Sequence, residues 1–203
     1  MTRGLDSIVL ASASPRRLEL LSSLGLDVDV VPSGYGEPDD PALTPLQLAV
    51  RHAREKALDV ASRESRDGSV IVAADTVVDV DGIALGKPRD AAEAVRMLRL
   101  LSGREHQVHT AFAVVVPDGE IAEESSSTRV RFFALGEDEI GEYVATGEPM
   151  DKAGAYGIQG RAAALVESID GDFYTVMGFP LARFVRLLRR LGFSLPSAKE
   201  RLK

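Results

Sequence analysis

Residues 7–25, SIVLASASPRRLELLSSLG, dictate how this chain begins to fold. SIVLA (7–11) is an apolar run of strand length. Ser14 stands where a helix N-cap belongs, Pro15 suits the first helical position, and RLELLSSL places apolar residues at helical spacing. Gly25 supplies a C-terminal stop, and DVDVV (27–31) alternates as a second strand. A chain that passes so abruptly from buried strand to capped helix and back needs a sheet covered by helices.

The later segments repeat that grammar. Residues 32–43, rich in Pro, Gly and Asp, read as a loop. Thr44-Pro45 repeats the cap-plus-proline signal and opens a long helix to about Arg63. Residues 69–88, SVIVAADTVVDVDGIALGKP, read as a buried strand, a turn at Asp81-Gly82 and a short return. Asp90 caps a helix ending near Gly103, and residues 106–135 form a long β-hairpin around Pro117-Asp118-Gly119. A short helix is expected over 137–146, then a segment of glycine-rich loop, strand and turn over 152–178. A last amphipathic helix spans 180–191, and the tail SAKERLK (197–203) is expected to fray. The fold class is therefore α/β, a mixed twisted sheet with flanking helices and two lobes around a cleft. With 203 residues and no repeat, low-complexity segment or linker, one domain over 1–203 is expected, its core at about 7–191.

Composition narrows the function classes. The absence of cysteine excludes disulfides, thiolate catalysis and Cys-based metal sites. The N-terminal apolar run is too short for a signal peptide, and no run approaches the roughly 18 apolar residues of a membrane span. A cytoplasmic protein without membrane contact is expected. A net charge of −7 argues against a nucleic-acid partner, which calls for a basic face. It leaves room for a small phosphorylated ligand, which needs only a few placed cations.

Those cations have candidates. A helix start leaves backbone N–H groups unpaired and carries partial positive charge, an anion site before any side chain is added. Ser12 and Ser14 add hydroxyls, and Arg16 and Arg17 add two guanidinium forks suited to phosphate. Cations are mildly unfavourable in a first helical turn, by about 0.3–1 kcal/mol, so two together call for an anionic partner. The competing reading is an ordinary capped helix with two solvated arginines. Lys56 in REKAL and Lys87 in LGKPRD are further candidates, although an isolated lysine is ordinarily a solvated surface residue.

Asp75 interrupts the apolar strand VIVAADTVV. A buried carboxylate is costly unless paired, hydrogen-bonded or metal-bound. It is either a structural hydrogen-bonder at a strand end or, with Glu37 in the loop after the second strand, a ligand pair for hard Mg²⁺ or Mn²⁺. GAYGIQG (154–160) holds three glycines that let backbone approach a ligand, and Gln159 offers a donor and an acceptor suited to a base edge. The alternative is a plain flexible loop. His106 and His109, at i,i+3 on a strand, do not converge on a metal, nor does His52 join them. No G-x-S-x-G and no G-x-x-x-x-G-K-[ST] occurs, which disfavours a serine hydrolase and a P-loop enzyme.

Taken in order, SASPRR, AREKA, AADT, LGKP, EPMDKAGAYGIQG and IDGDFYTVMGFP resemble the Maf family of nucleoside triphosphate pyrophosphatases over about residues 7–191. The resemblance implies a fold similar to the inosine-triphosphate pyrophosphatases (Maf/HAM1-like). It implies cleavage of the α–β phosphoanhydride to monophosphate and pyrophosphate with a divalent metal cation (Mg or Mn). Transferred motif by motif, the catalytic carboxylate is Asp75, the phosphate-binding cations are Arg16, Arg17, Lys56 and Lys87, and the loop acid beside the metal is Glu37. PSGYGEP (32–38) departs from the family's usual loop around that acid. Thr76 and Gln159, with Arg16, match the branch that prefers dTTP and UTP over the branch that prefers 7-methyl-GTP. The resemblance also allows a homodimer and a role in arresting cell division, the family having been named for inhibition of septum formation. Rival expectations are the same chemistry on 7-methyl-GTP or another non-canonical nucleotide, and a septum regulator that binds nucleotide without turnover. An aspartate has an ordinary pKa near 3.9, low for a base at neutral pH, so burial or the metal has to assist Asp75.

Overall fold

A computed structural model describes residues 3–63 and 68–196. In chain order the strands are β1 (Arg3–Gly4), β2 (Ser7–Leu10), β3 (Asp27–Val30), β4 (Ile71–Val80), β5 (Ile83–Leu85), β6 (Glu105–Val115), β7 (Ile121–Phe132), β8 (Val166–Asp170) and β9 (Phe193–Ser194). The α-helices are α1 (Pro15–Ser23), α2 (Pro45–Arg63), α3 (Ala91–Leu101), α4 (Glu137–Ala145), α5 (Phe173–Met177) and α6 (Leu181–Arg190). The main sheet runs β3-β2-β4-β6-β7-β8, with β5 also on β4, while β1 and β9 pair separately. Helix crossovers make β3-β2-β4 parallel, and the remaining pairs of the main sheet, two of them closed by tight turns, are antiparallel, while β1 and β9 pair in parallel.

The register places a gap beside β4. β2 pairs with β4 only at Ile71 and Val72, and β5 joins the same strand only from Val78 onward. Residues 73–77 thus present an edge without a strand partner on that side, at the point where the sheet changes from parallel to antiparallel. Open α/β sheets bind ligands where the strand order switches, beyond the carboxyl ends of parallel strands.

The core divides at the same point. One face of β4 gives Val72 and Ala74 to a cluster with Phe112, Phe179 and Phe184, and gives Val78 and Val80 to a second cluster with Phe132, Tyr143 and Tyr156. Thr76 lies between them. The opposite face gives Ile71 and Ala73 to one cluster and Val77 to another, both under α2, with Asp75 between. The Asp75-Thr76 dipeptide is therefore the polar break between two lobes on both faces of the central strand. α6 seals the first lobe through Leu181, Phe184, Leu187 and Leu188, each worth roughly 1.5–3 kcal/mol when fully buried.

The starts of α2 and α3 follow the expected cap chemistry, and that of α1 does not. Thr44 and Gln47 exchange hydrogen bonds (Thr44 N–H to Gln47 Oε1, 2.9 Å; Gln47 N–H to Thr44 Oγ1, 3.3 Å), a reciprocal capping box. Asp90 accepts from Glu93 N–H at 2.8 Å. Ser14 occupies the N-cap of α1, but its side chain makes no capping bond, and its own N–H donates to Ser12 Oγ at 3.2 Å. The final turn expected within 152–178 is in fact α5, capped by Asp172 and stopped by Gly178 at φ 107°. At five residues it is too short to show helical periodicity. The glycine-rich stretch is not a loose loop: it folds into 3₁₀ turns with Gly154, Ala155 and Tyr156 buried. The expectation for residues 197–203 lies outside the described residues.

Candidate active site

The unpaired edge of β4 floors a cleft of about 550 Å³. Every residue proposed from the sequence to bind phosphate, metal or base lines it: Ser12, Ser14, Arg16, Arg17, Glu37, Lys56, Asp75, Thr76, Lys87 and Gln159. They come from the β2–α1 turn, the first turn of α1, the loop before α2, α2 itself, β4, the segment after β5 and the glycine-rich turns.

At the centre is an ion cluster. Lys56 Nζ donates to Asp75 Oδ1 at 2.6 Å and lies 2.8 Å from Glu37 Oε1. The Lys56 and Asp75 side chains are each 9% exposed, whereas Glu37 is 46% exposed. Lys56 reaches β4 because its helix carries small Ala49, Ala53 and Ala57 against the sheet. Partial burial pushes the Glu37 carboxyl up, but the Lys56 ammonium, then Lys87 and His52, hold it net below the ordinary carboxylate value. Glu37 sits at φ 49°, a backbone region that non-glycine residues seldom occupy. Its loop is pinned to α2 at several points. Ser33 Oγ donates to Asp59 Oδ2 at 2.8 Å, Tyr35 Oη meets His52 Nδ1 at 3.3 Å, and Arg51 bonds Asp40 at 2.6 Å.

The two arginines differ. Arg16 reaches across the cleft to Asp151, 3.4 Å away in the opposite lobe. Arg17 turns inward: its Nε donates to Gly178 O (3.0 Å), and its terminal nitrogens donate to Ser12 Oγ and Thr76 Oγ1 (both 3.2 Å). Three of its N–H groups already have protein acceptors, so the fork expected for phosphate is largely spent on fixing neighbours. Ser12 Oγ in turn accepts from Arg17 and from Ser14 N–H. With both lone pairs used, its proton points to whatever enters the cleft.

Lys87 is exposed and makes no hydrogen bond or ion pair among the described residues. Its position is tied to the glycine-rich turns by Gly154 N–H donating to Gly86 O at 3.0 Å. Gly154 has φ 67°, and a Cβ there would stand 2.8 Å from Val78 Cγ2, so the close approach needs glycine.

The histidines go separate ways. His52 faces the cleft four residues before Lys56, and burial holds it below its ordinary value despite the pull of Asp75. The sequence alone did not place it there; its i,i+4 spacing to Lys56 on the expected helix is the signal that could have done so. His106 meets Tyr156 Oη at 2.7 Å, with burial lowering the imidazole to about 4. His109 contacts Ser127 (2.7 Å) and Asp79 (3.2 Å). Asp151 and Lys152 also line the cleft. Lys152 donates to Asp151 Oδ1 and Glu148 O, both at 2.6 Å, a role that its motif position alone did not reveal. Among the described residues no group of three or more His, Cys, Asp or Glu is placed to hold a metal ion.

Residues 7–191 match the family model described as Maf-like protein. The chain is 51% identical over 190 residues to the dTTP/UTP pyrophosphatase of Thermococcus gammatolerans, covering 94% of this chain and 99% of that one. It is 49% identical over 191 residues to the dTTP/UTP pyrophosphatase of Symbiobacterium thermophilum, covering 94% and 97%. A solved HAM1 protein from Coxiella burnetii aligns over 91% of this chain and 98% of that one, at 18% identity and a TM-score of 0.47. With the family match running from the first strand of the main sheet through the last helix, and relatives about half identical along nearly their whole length, this chain belongs to the Maf family.

Proposed function

We propose that this protein hydrolyses dTTP and UTP to the monophosphate and pyrophosphate, as a cytoplasmic house-cleaning enzyme of the nucleotide pool. The observation that carries the reading is the cluster of Asp75, Glu37 and Lys56 on the open edge of β4, facing Arg16, Lys87 and the start of α1 across one cleft. That the similar chains named above are dTTP/UTP pyrophosphatases supports the substrate. No described helix is long and apolar enough to cross a membrane.

Asp75 and Glu37 suit a divalent cation. Their oxygens already converge on one positive centre, the Lys56 ammonium, at 2.6 and 2.8 Å. Mg²⁺ is commonly held by one or two carboxylates, with water and substrate phosphates completing the shell. When bound there, the cation supplies Lewis-acid polarisation of the phosphate oxygens and neutralises their charge.

The chain's own residues do the rest. The triphosphate lies against the N-terminus of α1, where unpaired backbone N–H groups and the free Ser12 proton donate to its oxygens. Arg16, Lys56 and Lys87, with the two uncommitted N–H groups of Arg17, neutralise charge that grows on the leaving pyrophosphate. Asp75 uses Oδ1 for Lys56, and its other oxygen accepts a proton from the water that attacks the α-phosphorus. The new P–O bond forms as the bond to the bridging oxygen breaks. Thr76 and Gln159 read the base, and Gln159 can serve a carbonyl flanking N3–H in uracil or thymine.

The test is pyrophosphate release from UTP, dTTP, CTP, 7-methyl-GTP, ITP and the common triphosphates, with Mg²⁺ or Mn²⁺ and with chelator. Turnover led by UTP and dTTP and lost with chelator is expected. Turnover led by another base would keep the chemistry and remove the specificity. Binding without turnover would favour a septum regulator. Gln159→Ala is expected to erode the preference for UTP and dTTP by about tenfold or more while slowing poor substrates much less. Equal loss on every nucleotide would count against base reading.

A further inference from the structure

Resting on that reading, we propose that Thr110, a fully buried residue of β6, sets the polarity of the Thr76 hydroxyl so that Thr76 can accept, but not donate, a hydrogen bond from the substrate base. The inference follows from counting protons along one chain of bonds. Thr110 Oγ1 lies 2.7 Å from the backbone carbonyl of Thr175, an oxygen that can only accept. The single Thr110 proton is therefore used there. Thr76 Oγ1 lies 2.9 Å from Thr110 Oγ1, so in that bond Thr76 is the donor. Arg17, which can only donate, gives a further N–H to Thr76 Oγ1 at 3.2 Å. The Thr76 hydroxyl has then given up its proton and one lone pair, and one lone pair remains for the cleft it lines.

The surroundings hold this arrangement in place. Thr110 is 0% exposed, as is Thr175. The Thr175 carbonyl is fixed by α5, whose start is held by Asp172 accepting from Thr175 N–H and Thr175 Oγ1 at 3.1 and 3.0 Å. Gly178 closes the other side: a Cβ there would stand 3.3 Å from Thr76 Oγ1, and its carbonyl anchors Arg17 Nε. A threonine that could otherwise rotate to donate or accept is left with one sense.

An acceptor-only hydroxyl selects for a donor. On the pairing edge of uracil and thymine the donor is N3–H. Cytosine carries a lone pair at N3, and it would face the Thr76 lone pair. Thr76 thus takes N3–H, and the Gln159 carboxamide N–H serves a flanking carbonyl. A pocket that leaves a buried polar group unpaired rejects the wrong base strongly.

The experiment is the ratio of kcat/KM for UTP to that for CTP in the wild type, Thr110→Val and Thr110→Ser, after thermal melts show that each protein folds. Valine keeps the shape of threonine and removes the hydroxyl, which frees the Thr76 proton to face the base. The wild type is expected to favour UTP strongly. Thr110→Val is expected to lower the ratio by about tenfold or more, and Thr110→Ser to retain it. A general loss of packing would slow both nucleotides together and leave the ratio unchanged, which overturns the proposal. Should Thr110→Val not fold, Thr110→Cys, which keeps the volume and weakens both bonds, is read by the same ratio and the same criterion. Failure of wild-type turnover on both UTP and dTTP would remove the pyrimidine reading and this inference with it. Intact turnover with a ratio insensitive to position 110 removes the inference alone.

Discussion

Asp75→Asn is expected to yield a folded protein that releases pyrophosphate about 10²- to 10⁴-fold more slowly, with a blunted response to Mg²⁺ and chelator. The substitution is close to isosteric, and the carboxamide oxygen can still accept from Lys56, now 2.6 Å from Oδ1. Lys56 also keeps its second acid, Glu37, at 2.8 Å, so the ammonium is not stranded. What disappears is the negative charge, and with it the capacity to take a proton from water and to draw a cation to the open edge of β4. Single-turnover release of pyrophosphate, with nucleotide binding measured in parallel, separates the outcomes. Binding retained with chemistry lost fits the assigned role. A variant that hydrolyses at the wild-type rate with normal metal dependence would move the base to another group, and Glu37 would be the next to test.

The same central strand explains what the sequence made legible and what it did not. Caps and periodicity were local, so α2 and α3 stood out from Thr44-Pro45 and Asp90, and the hairpins from Asp81-Gly82 and Pro117-Asp118-Gly119. A polar dipeptide in an apolar strand marked Asp75 and Thr76 because burying such groups is costly without partners. The partners themselves are non-local. Nothing in REKAL says that Lys56 crosses to β4, since a lysine on a helix is ordinarily solvated; the alanines facing the sheet permit it. Arg17 looks like Arg16 in sequence, yet one reaches across the cleft and the other is folded against Gly178, Ser12 and Thr76. Thr110 was invisible for a related reason. Within HTAFAVVV a β-branched residue is simply good strand material, and its meaning lies in a carbonyl 65 residues away. The gap over residues 73–77 depends on where β2 ends and β5 begins against β4, which is register, and no single segment encodes it.

Lys56→Met is expected to destabilise the fold by about 3–5 kcal/mol, the range for removing one partner of a buried ion pair. In a protein of this size each kcal/mol corresponds to roughly 2–4 °C, so the melting temperature should fall on the order of 10 °C. The cost is asymmetric. Lys56 has two carboxylate neighbours, whereas the Asp75 carboxylate has Lys56 as its only hydrogen-bond partner among the described residues, and the Asp75 side chain is buried. Without the ammonium, Asp75 is left buried and charged, or must take up a proton. The double variant Lys56→Met with Asp75→Leu removes both charges in favour of apolar groups. It is expected to regain most of the lost stability, because replacing a buried pair by hydrophobic side chains is often neutral or stabilising. It should release no pyrophosphate. Thermal melts of the two single variants and the double form a cycle whose coupling term isolates the pair. A Lys56→Met protein that melts like the wild type would mean that the pair does not form in solution. If instead the double variant is stable and inert, the two charges are held in the seam between the lobes for chemistry, at a cost in stability that the apolar clusters on either side of Asp75 and Thr76 offset.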